Sequence, residues 1–181
     1  MLKDIVFFEN SVYFKKLEIQ GIYINKDKPK KINDLVMTFG TKNNRSVVEK
    51  INIDILISPE KEVKRDSLHH RNSGLDQIIC RLAKKNRIAI GFSFSSILNS
   101  KNPGELLGRM MQNVRFCRKF KVRMILGSFA NNEFELRNKA VLAAFGACIG
   151  MSGKEIKKAL DLDSLIKKKR NYVCKGVELI D

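Results

Sequence analysis

At 181 residues, 44% of them apolar, the chain can bury one real core, and nothing in its composition demands a second domain; residues 1–181 are expected to form a single domain. Thirty-five Lys and Arg against nineteen Asp and Glu leave a formal charge of +16, which argues for a polyanionic partner, nucleic acid before membrane. Cys80, Cys117, Cys148 and Cys174 show neither ligand nor redox spacing, and the longest apolar run, residues 140–151, is too short to cross a bilayer. That spacing suggests neither a disulfide framework nor a zinc ribbon, and with Asp4 near the start and no secretion-type segment a soluble, cytoplasmic protein is expected.

Residues 4–8 form a short run of strand type, and Asn10 offers a cap for a weak helix through Lys16. Residues 20–24 make a second strand run, 25–31 a lysine-rich loop with Pro29, and 35–39, ended by Gly40, a third strand. Val47, Val48 and Ile51 predict a short helix over 43–51, and a fourth strand over 54–57 stops at Ser58-Pro59. Residues 60–72 carry no periodic pattern, and long loops inside compact domains tend to be functional.

Ser73 and Asp76 have capping-box spacing, which predicts a helix beginning at about Gly74. Leu75, Ile78, Ile79, Leu82 and Ala83 then share its inner face, Gln77, Arg81, Lys84 and Lys85 face water, and Asn86 ends it. A fifth strand over 88–94 follows. Asn102 as cap, Pro103 at the first position and Glu105 form a strong helix start. Leu107, Met110, Val114 and Cys117 make the inner stripe of that helix, while Gln112, Arg115 and Lys119 project from the other side with Arg118 at the margin. Residues 122–127 read as a sixth strand, 132–138 as polar, 140–151 as a buried helix, and Ser152 with Glu155 caps another. The run Lys167-Lys168-Lys169-Arg170 closes a basic C-terminal segment.

Strands alternating with helices argue for parallel pairing, since a parallel pair needs a crossover. Six strands are compatible with a distorted or incomplete barrel and with a doubly wound open sheet. Between residues 77 and 132 stand eleven Lys or Arg and a single acid, Glu105, whereas ordinary surfaces mix both signs.

A polynuclear metal site at strand ends needs many imidazole and carboxylate ligands, and this chain has two histidines, adjacent in one loop. Asp4, Asp34 and Asp54 stand near strand starts, opposite to where barrel chemistry gathers. No phosphate-loop glycine pattern or G-x-S-x-G elbow occurs. The loop instead offers a phosphate grip: Arg65 and Arg71 can fork onto phosphate oxygens, His69, His70, Asn72 and Ser73 can donate, and the amides opening a helix at Gly74 add positive charge. The competing structural reading pairs Arg65 with Asp66 or a neighbouring acid and buries both histidines.

The ordered runs Arg65-Asp66-x-Leu68-His69-x-Arg71-x-Ser73-Gly74-Leu75, Ala83-Lys84-Lys85-Asn86-x-Ile88-Ala89-Ile90-x-Phe92-Ser93, Arg109-Met110-x-Gln112-Asn113 with Cys117-Arg118-Lys119, Ser128-x-Ala130 and Glu135-Leu136-Arg137 resemble the family of ribonuclease P protein component 3, the archaeal counterpart of the eukaryotic thirty-kilodalton subunit. The match runs from about Asp54 to Leu160; Gly91 and Asn138-Lys139 depart from the family pattern, and the N-terminal quarter is not matched. The resemblance implies an α/β, TIM-barrel-like single domain, related to the polymerase-and-histidinol-phosphatase barrels but without their metal ligands. It also implies a subunit of the ribonucleoprotein that removes the 5′ leader of precursor tRNA, in which the RNA holds the active site and its Mg²⁺, so that the chain binds no cofactor and carries no catalytic residue. Its expected partners are the ribonuclease P RNA and the component 2 subunit. Arg65, His69, Arg71, Ser73, Arg109, Asn113, Arg118, Ser128 and Arg137 carry over as RNA or partner contacts; charge and position on the second long helix add Arg115 and Lys119, and the loop adds His70. A metal-dependent phosphoesterase on the related barrel is the alternative.

Overall fold

The computed structural model of the protein describes residues 2–8, 19–23, 31–32, 35–50, 53–62, 66, 71–165, 172–174 and 177–178. In chain order these contain β1 (Leu2–Val6), β2 (Ile19–Tyr23), β3 (Lys31–Ile32), β4 (Leu35–Phe39), α1 (Asn44–Lys50), β5 (Ile55–Ile57), α2 (Gln77–Lys85) and β6 (Ala89–Ser93). There follow α3 (Phe94–Leu98), α4 (Pro103–Phe120), β7 (Met124–Gly127), a 3₁₀ turn at Glu133–Glu135, α5 (Lys139–Cys148), α6 (Gly153–Ala159), β8 (Tyr172–Cys174) and β9 (Val177–Glu178).

Strands β5, β6 and β7 are buried at every position, the signature of parallel strands covered on both faces. They pair in parallel with each other and with β4, in the registers Met37↔Ile55, Ile55↔Ala89 and Ile90↔Met124. The short β3 adds an antiparallel edge to β4. Strand β1 pairs in parallel with β2, and its end meets the segment after β7 through a parallel bridge, Val6↔Ala130, with the Phe7 amide donating to the Ala130 carbonyl at 2.8 Å. The C-terminal β8 and β9 form an antiparallel hairpin.

Alternation along these strands sorts the core into two layers. Leu56, Ile90, Phe92, Met124 and Leu126 pack with Ile79, Ala83, Met110, Val114, Leu142 and Phe145 from the helices. The intervening residues, Ile55, Ile57, Ala89 and Ile125, pack instead with Ile5 of β1, Leu35 and Met37 of β4, Phe129, Leu162 and Leu165. Each fully buried aliphatic side chain stabilises the fold by about 1.5–3 kcal/mol relative to exposure. Helices cover one side of the sheet, and Ile5 of β1 with Phe129, Leu162 and Leu165 covers the other.

Several sequence expectations shift. Helix α2 begins at Gln77, not at about Gly74, and its cap is Asp76, whose carboxylate accepts from the Ile79 amide at 2.7 Å. Gly74 has φ +75°, a left-handed turn that a helix start cannot contain. Ile78, placed on the inner face by spacing, is 45% exposed, because the buried face is centred on Ile79, Cys80 and Ala83. Asn102 makes no side-chain cap bond, although Pro103 opens α4 as expected, and Leu106 is buried where Leu107 is only half-buried. The helix read as buried over 140–151 is amphipathic: Leu142, Phe145 and Gly146 face inward, whereas Ala144, Ala147 and Cys148 are exposed. The capping box of Ser152 and Glu155 forms as expected. The helix expected through Lys16 and the basic run 167–170 lie outside the described residues.

Candidate nucleic-acid interface

The segment that carries Arg71 is fixed by a knot of buried polar contacts. Ser58, at φ 48°, turns the chain sharply after β5, and Asn44 Nδ2 donates to the carbonyls of Pro59 and Gly74 at 2.8 and 2.9 Å. A Cβ on Gly74 would stand 2.0 Å from the Pro59 oxygen, so the close crossing of the two loops requires glycine twice over, for space and for φ. Asn113, fully buried on α4, completes the knot: its Nδ2 donates to the Ser73 carbonyl at 2.9 Å and to Glu60 Oε2 at 3.0 Å. Glu60 is itself fully buried, and burial pushes its carboxyl up to about 7, against hydrogen bonds from its own backbone and from Asn113 and the field of Arg109 that act to lower it. Ser73 is buried as well, its hydroxyl 3.4 Å from the Leu75 carbonyl. Ser73 and Asn113 therefore position the loop from inside and present nothing to a partner.

Three of the arginines expected at the interface are engaged within the chain. Arg109 is 7% exposed, with Nε 3.0 Å from Asp66 Oδ1 and Nη2 2.5 Å from Glu105 Oε1. Arg118 forks onto Glu155 at 2.8 and 2.7 Å and donates to the Gly150 carbonyl at 2.7 Å, tying α4 to the start of α6. The Arg118 hydrogen bonds hold the Glu155 carboxyl down to about 2. Arg137 donates to the carbonyls of Phe134 and Leu136, both at 2.6 Å, and lies 5.0 Å from the Phe94 ring centre.

Of the cations expected at the interface, the described ones not engaged in this way lie together. Arg71, Arg115 and Lys119, with Met111, Gln112 and Phe116, line a groove of about 380 Å³ over Gly108. Among the described residues no ion pair engages Arg71, Arg81, Arg115 or Lys119, because the nearby acids are held by Arg109 and Arg118. The Arg71 guanidinium rests on Gly108, where a Cβ would stand 2.6 Å from Nη1, and its carbonyl accepts from Gln112 Nε2 at 3.2 Å. Phe116 stacks on Phe120 with ring centres 6.5 Å apart, and Arg81 from α2 and Lys119 each lie 5.7 Å from the Phe120 ring centre. A band of guanidinium, ammonium and aromatic groups thus runs along α4 and across to α2, suited to polyanions that also offer flat π-faces.

The strand ends hold a different polar set. Ser128, fully buried, donates its amide to Asp4 Oδ1 at 2.8 Å and accepts the Arg137 amide on Oγ at 3.0 Å. Burial raises the Asp4 carboxyl to about 6, although bonds from Ser128 and Ile5 act to lower it. Glu135 collects Ser95 Oγ, Asn99 Nδ2 and the Asn131 amide at 2.7–2.8 Å, and these bonds outweigh burial and hold it below the usual carboxylate range. Among the described residues no three of His, Cys, Asp or Glu come together as a metal-holding group.

Of the residues expected to bind, the structure brings Arg71, Arg115 and Lys119 together; it leaves Ser73, Arg109, Asn113 and Ser128 inside, and engages Arg118 and Arg137 in local contacts. Arg65, His69 and His70 lie outside the described residues. Sequence reasoning missed Phe116 and Phe120, though two aromatics four residues apart among cations were a legible signal. It also missed Glu60, which nothing in its local sequence marks.

Residues 28–172 match the family described as RNase P subunit p30. The chain is 34% identical over 145 residues to ribonuclease P protein component 3 of Methanococcoides burtonii, covering 76% of this chain and 57% of that one. It is 27% identical over 173 residues to the component 3 of Methanosarcina acetivorans, covering 90% and 72%, and 29% identical to that of Methanocaldococcus jannaschii, covering 72% and 60%. The chain thus spans 57–72% of the length of these relatives. Its fold is similar to a chain in the cryo-EM structure of archaeal ribonuclease P with mature tRNA, with TM-score 0.72, 22% identity and coverage of 99% of this chain and 98% of that chain.

Proposed function

This chain belongs to the RNase P subunit p30 family, and on that premise we propose that it serves as a protein subunit of ribonuclease P, the ribonucleoprotein that removes the 5′ leader of precursor tRNA. It lends positive charge and shape to the catalytic RNA and performs no bond-breaking step. The observation that carries this reading is the groove of Arg71, Arg115 and Lys119, whose charges the fold leaves unneutralised while it pairs Arg109 and Arg118 internally. Phosphate contacts of this kind position an RNA and screen its self-repulsion. On the same reading the Mg²⁺ of the reaction belongs to the RNA, the chain holds no cofactor, and the component 2 subunit is its protein partner in the cytoplasm. Among the described residues no helix is long and apolar enough to cross a membrane.

The architecture follows the same line: a single domain forming a distorted or incomplete β/α barrel of the polymerase-and-histidinol-phosphatase type. In its favour, β1 meets the segment just after β7, and the face of the sheet turned away from the long helices packs on Ile5 of β1, Phe129, Leu162 and Leu165. Reconstituted cleavage of precursor tRNA, with and without this chain, tests the function. At limiting Mg²⁺ the complete particle is expected to cleave faster, and Arg71→Ala to lose that gain while remaining folded by circular dichroism. Equal rates with and without the chain would overturn the assignment.

A further inference from the structure

The groove is more specific than a field of charge. Its volume, about 380 Å³, lies at the small end of binding clefts, which run roughly 300–1,000 Å³, so it admits a group of nucleotide size. Phe116, half-buried against the core and stacked on Phe120, lines it, and Met111 adds a second apolar group. Gln112 gives its Nε2 hydrogen to the Arg71 carbonyl, which leaves its Oε1 to accept from a base edge. The Arg71 guanidinium is already seated on Gly108, so less freedom is lost when it meets a phosphate.

We propose that this groove takes unpaired nucleotides of an RNA, with phosphates on Arg71 and Arg115 and a base stacked against Phe116. Arg81 and Lys119, both over Phe120, serve the adjoining phosphate, so a short single-stranded or looped stretch follows α4 toward α2. Stacking on aromatic side chains is how unpaired bases are held with little regard to sequence, because every base has a π-face. This rests on the reading of the surface as RNA-binding and adds which form of RNA it selects.

The test measures binding of the full chain, at fixed salt, to a short single-stranded oligoribonucleotide carrying 2-aminopurine and to a blunt duplex of the same sequence. The single strand is expected to bind more tightly, with its fluorescence quenched on binding. Phe116→Leu should weaken it roughly five-fold or more and abolish the quench while leaving the duplex unchanged, and Phe116→Trp should restore both. Thermal melting of each variant separates a lost contact from a lost fold, and Phe116→Trp decides the matter if Phe116→Leu does not fold. Equal affinity for duplex and single strand, with Arg71→Ala and Arg115→Ala weakening both, would overturn the inference and leave the cationic surface standing. Insensitivity of all RNA binding to Arg71→Ala and Arg115→Ala would overturn both. Competition by poly-glutamate as effective as by RNA would assign the groove to an acidic protein segment and overturn it as well.

Discussion

Asn113 Nδ2 donates to Glu60 Oε2, yet Glu60 Oε1 and the amide oxygen of Asn113, Oδ1, are buried without a partner. A proton on the carboxyl would give it a donor of its own, and the field of Arg109, which Asp66 and Glu105 share, lowers the carboxyl by less than burial raises it. Glu60, at about 7, and Asp4, at about 6, are both raised by burial above the ordinary carboxylate range of about 4. Their neutral forms therefore favour the folded state fully below about pH 4, and that contribution is lost as pH rises through about 6 for Asp4 and about 7 for Glu60. Urea unfolding followed from pH 4 to 8 is expected to show stability declining across this window. Glu60→Gln, which is neutral at any pH, should remove the Glu60 share of the decline; an unchanged profile would show that Glu60 is ionised in the fold.

Helix α4 shows how one element divides its labour. Leu106, Met110, Asn113, Val114 and Cys117 face inward, Arg109 and Arg118 tie it to the 66 region and to α6, and Arg115 with Lys119 face the groove. Arg115→Ala should weaken RNA binding, whereas Arg118→Ala should leave affinity near wild type, because Glu155 already neutralises that cation. The Arg118 pair is substantially exposed, so its loss is expected to cost no more than roughly 1 kcal/mol in unfolding experiments. Equal losses of affinity in the two variants would contradict the division between paired and unpaired cations.

What was legible at this scale depended on the range of the cause. The alternating run 35–39 closed by Gly40 gives its strand limits directly, and Ser152 with Glu155 caps α6 through neighbours three residues apart. The start of α2 was misread because Gly74 takes a left-handed backbone where it crosses Pro59, fifteen residues earlier in the chain, a contact no local pattern records. The roles of Arg109 and Arg118 were partly hidden for the same reason: Asp66 and Glu155 lie 43 and 37 residues away, although Glu105, the other partner of Arg109, stands four residues before it on α4. The position of the cap is itself open to test. Asp76→Ala should cost about 1 kcal/mol of stability, and Ser73→Ala less, since its 3.4 Å bond is marginal; the reverse order would restore the earlier helix start.

For the molecule as a whole, a formal charge of +16 says that anions are attracted but not where. The fold answers by placing Asp66 and Glu105 against Arg109 and Glu155 against Arg118, and leaving Arg71, Arg115 and Lys119 without an ion pair. That placement, more than total charge, separates an RNA-supporting surface from a uniformly cationic one. The dependence of binding to ribonuclease P RNA on salt measures it most directly. Each neutralised phosphate contributes roughly 0.7–0.9 to the slope of log affinity against log salt. The triple variant Arg71→Ala/Arg115→Ala/Lys119→Ala is therefore predicted to reduce the wild-type slope by about 2 to 3 with the fold intact. A slope unchanged in the triple variant, or wild-type binding indifferent to salt, would contradict the account.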